Sequence, residues 1–275
     1  MTHRRHRRKR SSTPVLLPVV AVLVAVVAFA LLLSLKKPSG AEEAALRTGL
    51  DYLSQLEEKD PETVRQARRA LHTQRMAVLR DELTQTVRAG QQDPFPLFHD
   101  YVILGDSRAV GFNYHNFLEE SRILAEPGNT ILSVDANLEA LQTIKPSYVY
   151  LCYGLNDITI GLWGNKETFA ESFVKQAKKI QEVLPEATVV VSSILPIVSP
   201  AEEKEPRWQE IPQWNIVLEA ACRENDILYA DCDWVFYEHS DRWEEDGHHL
   251  RPEVYPYWGG QLLITALYGG IADES

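Results

Sequence analysis

Residues 101–111 read YVILGDSRAVG. Four largely apolar residues, Tyr101 to Leu104, run into Gly105; an acid and a serine follow, and Arg108 to Gly111 opens a segment of helical character. A short apolar run closed by a glycine reads as a buried strand. Asp or Ser at a strand-to-helix junction satisfies the orphan N–H groups of the helix that begins there. Two readings of Ser107 are open at this point: a cap or polar turn, and a hydroxyl delivered to the exposed end of a strand for chemistry.

Downstream, short apolar runs alternate with longer helical segments. The runs are 101–105, 122–126, 148–154, 188–196 and 227–231, and helices are predicted at 107–119, 135–144, 167–183 and 212–224, with another after Pro252. The apolar runs do not alternate with polar residues, as strands covered on both faces do not, which predicts an α/β fold with a parallel sheet. In such sheets ligands lie outside the carboxyl ends of the strands. Ser107 follows the first run, Gly128 (in AEPGNTI, 125–131) the second, YGLND (153–157) the third, and DGHHLRP (246–252) the fifth after a loop. On one face these clusters supply a hydroxyl nucleophile, oxyanion donors, and an acid and a histidine three residues apart, which are the parts of acyl transfer.

These motifs make the sequence resemble the SGNH or GDSL family of esterases and acyl hydrolases. Its GDS is present as Gly105-Asp106-Ser107, its second-block glycine as Gly128, its GxND as Gly154-Leu155-Asn156-Asp157 and its DxxH as Asp246-Gly247-His248-His249. The resemblance covers residues 100 to 270. It implies a three-layer α/β/α flavodoxin-like fold, with Ser107 as nucleophile, His249 as general base and Asp246 orienting it. It also implies an oxyanion hole from the N–H groups of Ser107 and Gly128 and the side-chain amide of Asn156. Where the family commonly has Leu after GDS this chain has Arg108, expected to alter the charge of the site.

Other residues read more plainly. Asp106 and Asp157 are expected to hold loops through backbone hydrogen bonds, and His115 to be a surface or packing residue. Trp163, just beyond GLND, is the tryptophan placed to touch substrate. Residues 199–212 (SPAEEKEPRWQEIP) read as a polar, solvated insertion, with a lid as the sharper alternative. Cys152 is expected to be a buried small hydrophobe; Cys222 and Cys232 give no disulfide framework. There is no P-loop, no CxxC pair and no helical HExxH, so no cofactor or metal is expected.

The first forty residues are unlike the rest. THRRHRRKR (2–10) carries six Arg and Lys and no acid, and Val15 to Leu35 is uncharged and almost wholly apolar. At about 1.5 Å per residue a helix of that length spans a hydrocarbon core of about 30 Å. A cleaved signal peptide fits less well, because the run is long and ends in Lys36 and Lys37 without a small-residue cleavage site. The heavier basic cluster before the span predicts a cytoplasmic N-terminus and an extracytoplasmic remainder. The expected organisation is a basic tail (1–14), a transmembrane anchor (15–35), a helical stalk (36–98) and the hydrolase domain (99–275). In the stalk, the stripe Val64, Leu71, Val78 and Leu79 is expected to dock on the domain. Removing the eight basic residues before Pro38 leaves 20 basic against 39 acidic, a net charge of about −19, which argues against nucleic acid as a partner.

The expectation is therefore a single-pass, membrane-tethered serine esterase that removes acetyl or short acyl groups from a cell-envelope or extracellular glycan. The alternatives are an O-acyltransferase using the same site, and a non-catalytic assembly component with its interaction element in the stalk.

Overall fold

The computed structural model describes residues 40–57 and 60–270, which fall into two compact units dividing between Arg68 and Arg69. The apolar run 15–35 and the basic cluster before it lie outside the described residues. Among the described residues, no helix is long and apolar enough to cross a membrane.

The first unit contains α1 (Gly40–Glu57) and the opening turns of α2 (Pro61–Arg88). Asp60 caps α2 by accepting the N–H groups of Glu62 and Thr63, each at 3.3 Å, ahead of a proline whose missing N–H costs nothing there. Of the stripe expected to dock, Leu71, Val78 and Leu79 lie in the second unit and are exposed. Its members are mostly seven residues apart, one per two turns, too sparse to form a wide buried face. Within the second unit, the end of α2 does pack: Val87 is buried against Gly260, and the Arg88 guanidinium lies 4.5 Å over the Trp234 ring.

The rest of the second unit runs β1 (Tyr101–Gly105), α3 (Ser107–Tyr114), β2 (Ile123–Ala125), α4 (Val134–Ile144), β3 (Tyr148–Cys152), α5 (Leu155–Ile160), α6 (Lys166–Val183), β4 (Thr188–Ser192), α7 (Ala201–Lys204), α8 (Ile211–Glu224), β5 (Leu228–Ala230), α9 (Asp233–His239) and α10 (Tyr255–Tyr268). The five strands are all parallel, in the order β2-β1-β3-β4-β5. Successive side chains leave a strand on opposite faces, and both faces are buried. Val102, Leu104, Val149, Leu151, Val189 and Val191 join α4, α6 and α8 in one apolar cluster, while Ile103, Tyr150, Cys152 and Val190 join α3 and α10 in the other. This is why the strands read as unbroken apolar runs. The strand order reverses between β1 and β3, and that switch point is where parallel sheets open a crevice.

Two departures from the expected elements have local causes. The helix after Ser107 stops at Tyr114 because Asn116 takes a left-handed backbone (φ 61°) and the N–H groups of Phe117 and Leu118 turn back to the Phe112 carbonyl. Residues 199–212 are mostly exposed, as expected, but they are helical rather than a loop: they form α7, a 3-10 turn over Pro206–Glu210 and the start of α8. Ala201 is fully buried, and Trp208 donates its indole N–H to Leu155 O at 3.1 Å.

Candidate active site

Of the residues at the strand ends, Ser107, His249 and Asp246 are joined by hydrogen bonds. Asp106 caps α3: its carboxylate accepts the Arg108 N–H at 3.0 Å. The capping role suggested for Ser107 is thus filled by its neighbour, and the Ser107 hydroxyl is free to face elsewhere. It lies 2.9 Å from His249 Nε2, and His249 Nδ1 lies 2.6 Å from Asp246 Oδ2. The other Asp246 oxygen accepts the backbone N–H groups of His248 and His249, both at 3.0 Å. Burial alone would raise the Asp246 carboxyl, but these two N–H groups and the His249 ring hold it well below the usual carboxylate range. An ionised carboxylate only accepts, so the proton of the His249 ring sits on Nδ1 and the Nε2 lone pair faces the serine hydroxyl.

The turn that presents the acid and the histidines depends on Gly247. Its φ is +79°, and a Cβ there would lie 2.3 Å from Val198 O, whose own N–H donates to Gly247 O at 2.8 Å. The 199–212 segment supports the same turn: the Trp208 ring lies 5.4 Å from that of His248. His248 is therefore turned toward Trp208, with its Nδ1 3.3 Å from the Asp246 carbonyl.

Gly128 lies exposed in the loop after β2, with φ +85°. Two hydrogen bonds stitch this loop to α5: Asn156 Nδ2 donates to Asn129 O at 2.9 Å, and Asp157 accepts the Ile131 N–H at 3.1 Å. One proton of the Asn156 amide remains for a ligand. Burial pushes the Asp157 carboxyl up to about 7, against the Ile131 N–H that favours its charged form. A carboxyl raised on folding stabilises most below its unfolded value near 3.9 and loses that contribution as pH rises through about 7. Asp157→Asn should therefore gain stability relative to the native chain between pH 4 and pH 7, by up to about 1.4 kcal/mol per pH unit, and the gain should level off above it. Urea melts of both proteins across that range check this; a flat difference contradicts it.

Arg108 is buried beside the site rather than exposed in it, and its charge reaches His248, whose affinity for a proton it lowers. Only 3 % exposed, its Nη1 donates to Leu195 O at 2.7 Å and its Nε lies 3.9 Å from Asp106. Burial raises the Asp106 carboxyl, and Arg108 opposes the rise. Trp163 is half-buried, packed against the cluster under α4 and α6. Cys152, Cys222 and Cys232 are all free and buried.

Tyr255 was not singled out from the sequence. Its hydroxyl donates to Arg108 O at 2.9 Å and so pins the turn that carries Ser107 from below. It passes over Gly111 so closely that a Cβ there would lie 1.7 Å from the hydroxyl. Pairing a glycine one turn into α3 with a tyrosine after Pro252 required the fold. Gly111→Ala should cost about 1–3 kcal/mol through this overlap and lower turnover with it. Thermal unfolding together with an ester assay tests this, and an unchanged melting temperature would show that Tyr255 is not fixed there.

The model of the GDSL-like Lipase/Acylhydrolase family matches residues 81–255, more than half of the chain, and the chain belongs to that family. Membership makes it a hydrolase of the GDSL type, on the α/β, parallel-sheet fold described above. Similar solved structures include a GDSL-like lipase from Bacteroides thetaiotaomicron (15 % identity, 65 % of this chain and 95 % of that one, TM-score 0.49). Others are a family 3 carbohydrate esterase from Talaromyces cellulolyticus (18 %, 58 % and 92 %, 0.45) and an acetyl xylan esterase from Geobacillus stearothermophilus (17 %, 64 % and 95 %, 0.43). No curated protein sequence matches the chain.

Proposed function

We propose that the chain is a serine esterase, tethered to a membrane by residues 15–35 with its hydrolase domain outside the cytoplasm, that removes acetyl or other short acyl groups from a cell-envelope or extracellular glycan. The observation that carries the chemistry is the relay from Ser107 through His249 to Asp246, at 2.9 and 2.6 Å. A serine hydroxyl is a weak nucleophile until a base takes its proton. In the proposed cycle His249 Nε2 accepts that proton as Oγ attacks the ester carbonyl, and Asp246 stabilises the imidazolium. The N–H groups of Ser107 and Gly128 and the Asn156 amide receive the oxyanion. His249 then protonates the leaving alcohol, and water repeats the sequence on the acyl-enzyme. Asn156→Ala should lower kcat by about 10²–10³ with little change in KM; an equal rise in KM with kcat intact would make Asn156 a ground-state binding residue.

The tether is supported by the basic cluster ahead of the apolar run, and the glycan by the exposure such a topology gives. The test is hydrolysis of aryl esters from acetyl to decanoyl by the purified chain. The expected result is turnover that falls as the acyl chain lengthens, and absence of turnover on every member would overturn the esterase reading. Protease accessibility of the domain on intact cells tests the topology separately.

A further inference from the structure

Beside Ser107 lies a cleft of about 210 Å³ between α3 and the segment that follows His249. Ser107 and His249 line it, together with Tyr114, His115, Glu244 and Tyr255. Gly128, Asn156 and Trp163 are not among its lining residues. Resting on the esterase reading above, we infer that this cleft receives the alcohol half of the ester, and that Tyr114 and Glu244 select a hydroxyl-rich ring, a saccharide, over a plain aliphatic alcohol.

The side of the serine decides which half of the substrate enters. At a tetrahedral centre on Ser107 Oγ, the oxyanion points toward its donors and the leaving oxygen must come within hydrogen-bond reach of His249 Nε2. A cleft whose wall contains His249 and excludes Gly128 and Asn156 lies on the leaving-group side. The acyl group takes the remaining direction, outside this cleft.

Its lining chooses the kind of alcohol. Tyr114 is 76 % exposed, so its ring contributes nothing to the core. It stands edge-on to His115 (5.0 Å, 79°), whose ring in turn packs on Tyr255 at 5.3 Å. The result is an aromatic wall braced by buried structure, with an apolar face and a hydroxyl for an amphipathic ring to meet. Glu244 is held beside the base by its own backbone N–H, which donates to His249 O at 2.9 Å. Its carboxylate has a loose ion pair with Arg251 at 3.9 Å, leaving acceptor sites for ligand hydroxyls. A small aliphatic alcohol offers neither a ring for Tyr114 nor hydroxyls for Glu244.

The experiment compares kcat/KM for an acetylated monosaccharide with that for ethyl acetate in the native chain, Tyr114→Ala and Glu244→Gln. Each substitution should lower the ratio about tenfold, the worth of one lost contact. The loss should be the same for acetyl, butyryl and hexanoyl esters of one sugar. A loss that changes with acyl length would make the cleft an acyl pocket, and an unchanged ratio would remove both residues from substrate selection; either overturns the inference while leaving the esterase intact. Should no ester be cleaved, the esterase reading itself fails. Binding of the deacetylated sugar to the Ser107→Ala chain, followed by saturation-transfer NMR, gives a readout independent of turnover: it should weaken about tenfold in both variants, and equal affinity overturns the inference.

Discussion

Ser107→Ala should abolish ester hydrolysis, lowering kcat by about 10⁴ or more, and leave the fold as it was. The rate effect follows from what remains: His249 and the oxyanion donors can still polarise a bound ester and steer a water, but no covalent step is available. The stability effect follows from the division of labour at the end of β1. Asp106, not Ser107, accepts the N–H that opens α3, and the serine hydroxyl's hydrogen bond is to His249, across 142 residues of sequence. Alanine at the first helical position costs little, so the change in unfolding free energy should stay within about 0.5 kcal/mol. Active-site titration with an ester that leaves a stable acyl-enzyme, read by mass spectrometry, checks the chemistry, and a thermal melt checks the fold. Near-normal turnover in a stably folded variant would rule out the serine mechanism.

The same junction shows what could be seen before the structure and what could not. Strand by strand, unbroken apolar runs announce burial on two faces, so β1, β3 and β4 and the parallel sheet were legible from local pattern. The runs were read too long at their ends: residues 193–196 leave the sheet after Ser192, where Ser193 donates its N–H to Ala230 O and Ile194 bonds to Asn215. Composition cannot mark the residue at which backbone pairing changes partner. The proximity of Ser107, Asp246 and His249 was legible, because the chemistry proposed for them demands residue types in short motifs. The site was illegible where the requirement is spatial. The burial of Arg108 under Tyr255 and Leu195 was illegible because it depends on contacts 147 and 87 positions away. Six of the fourteen residues 199–212 are charged and most of the segment is exposed, but its helical turns and the anchoring of Ala201 and Trp208 were illegible. The stripe on α2 erred in the other direction, since apolar periodicity reports a capacity to dock and not the presence of a surface to dock on.

The two adjacent histidines give the sharpest division of roles. His249→Ala should lose about 10⁴ in kcat, Asp246→Asn somewhat less, and His248→Ala should mainly alter KM. The reason is direction. The two rings lie 4.2 Å apart, tilted by 42°, yet His249 aims Nε2 at Ser107 while His248 turns to the Trp208 ring and the Asp246 carbonyl. Asp246 accepts the backbone N–H of both, but its carboxylate lies 2.6 Å from the ring of His249 against 3.4 Å from that of His248. Burial lowers the affinity of the His248 ring for a proton, and the His249 ring beside it lowers it further, which makes His248 a poor base. Asp246→Asn keeps the shape of the turn but offers the ring an amide, which can hold the tautomer with the proton on Nε2 and point it at the serine, where a lone pair is needed. Its deficit should shrink as pH rises, because hydroxide replaces the lost base, whereas His248→Ala should show no such trend. Rates for the three variants on one ester between pH 6 and 10 decide it: an inactive His248→Ala beside an active His249→Ala would move the base by one residue and dissolve the pairing with Asp246.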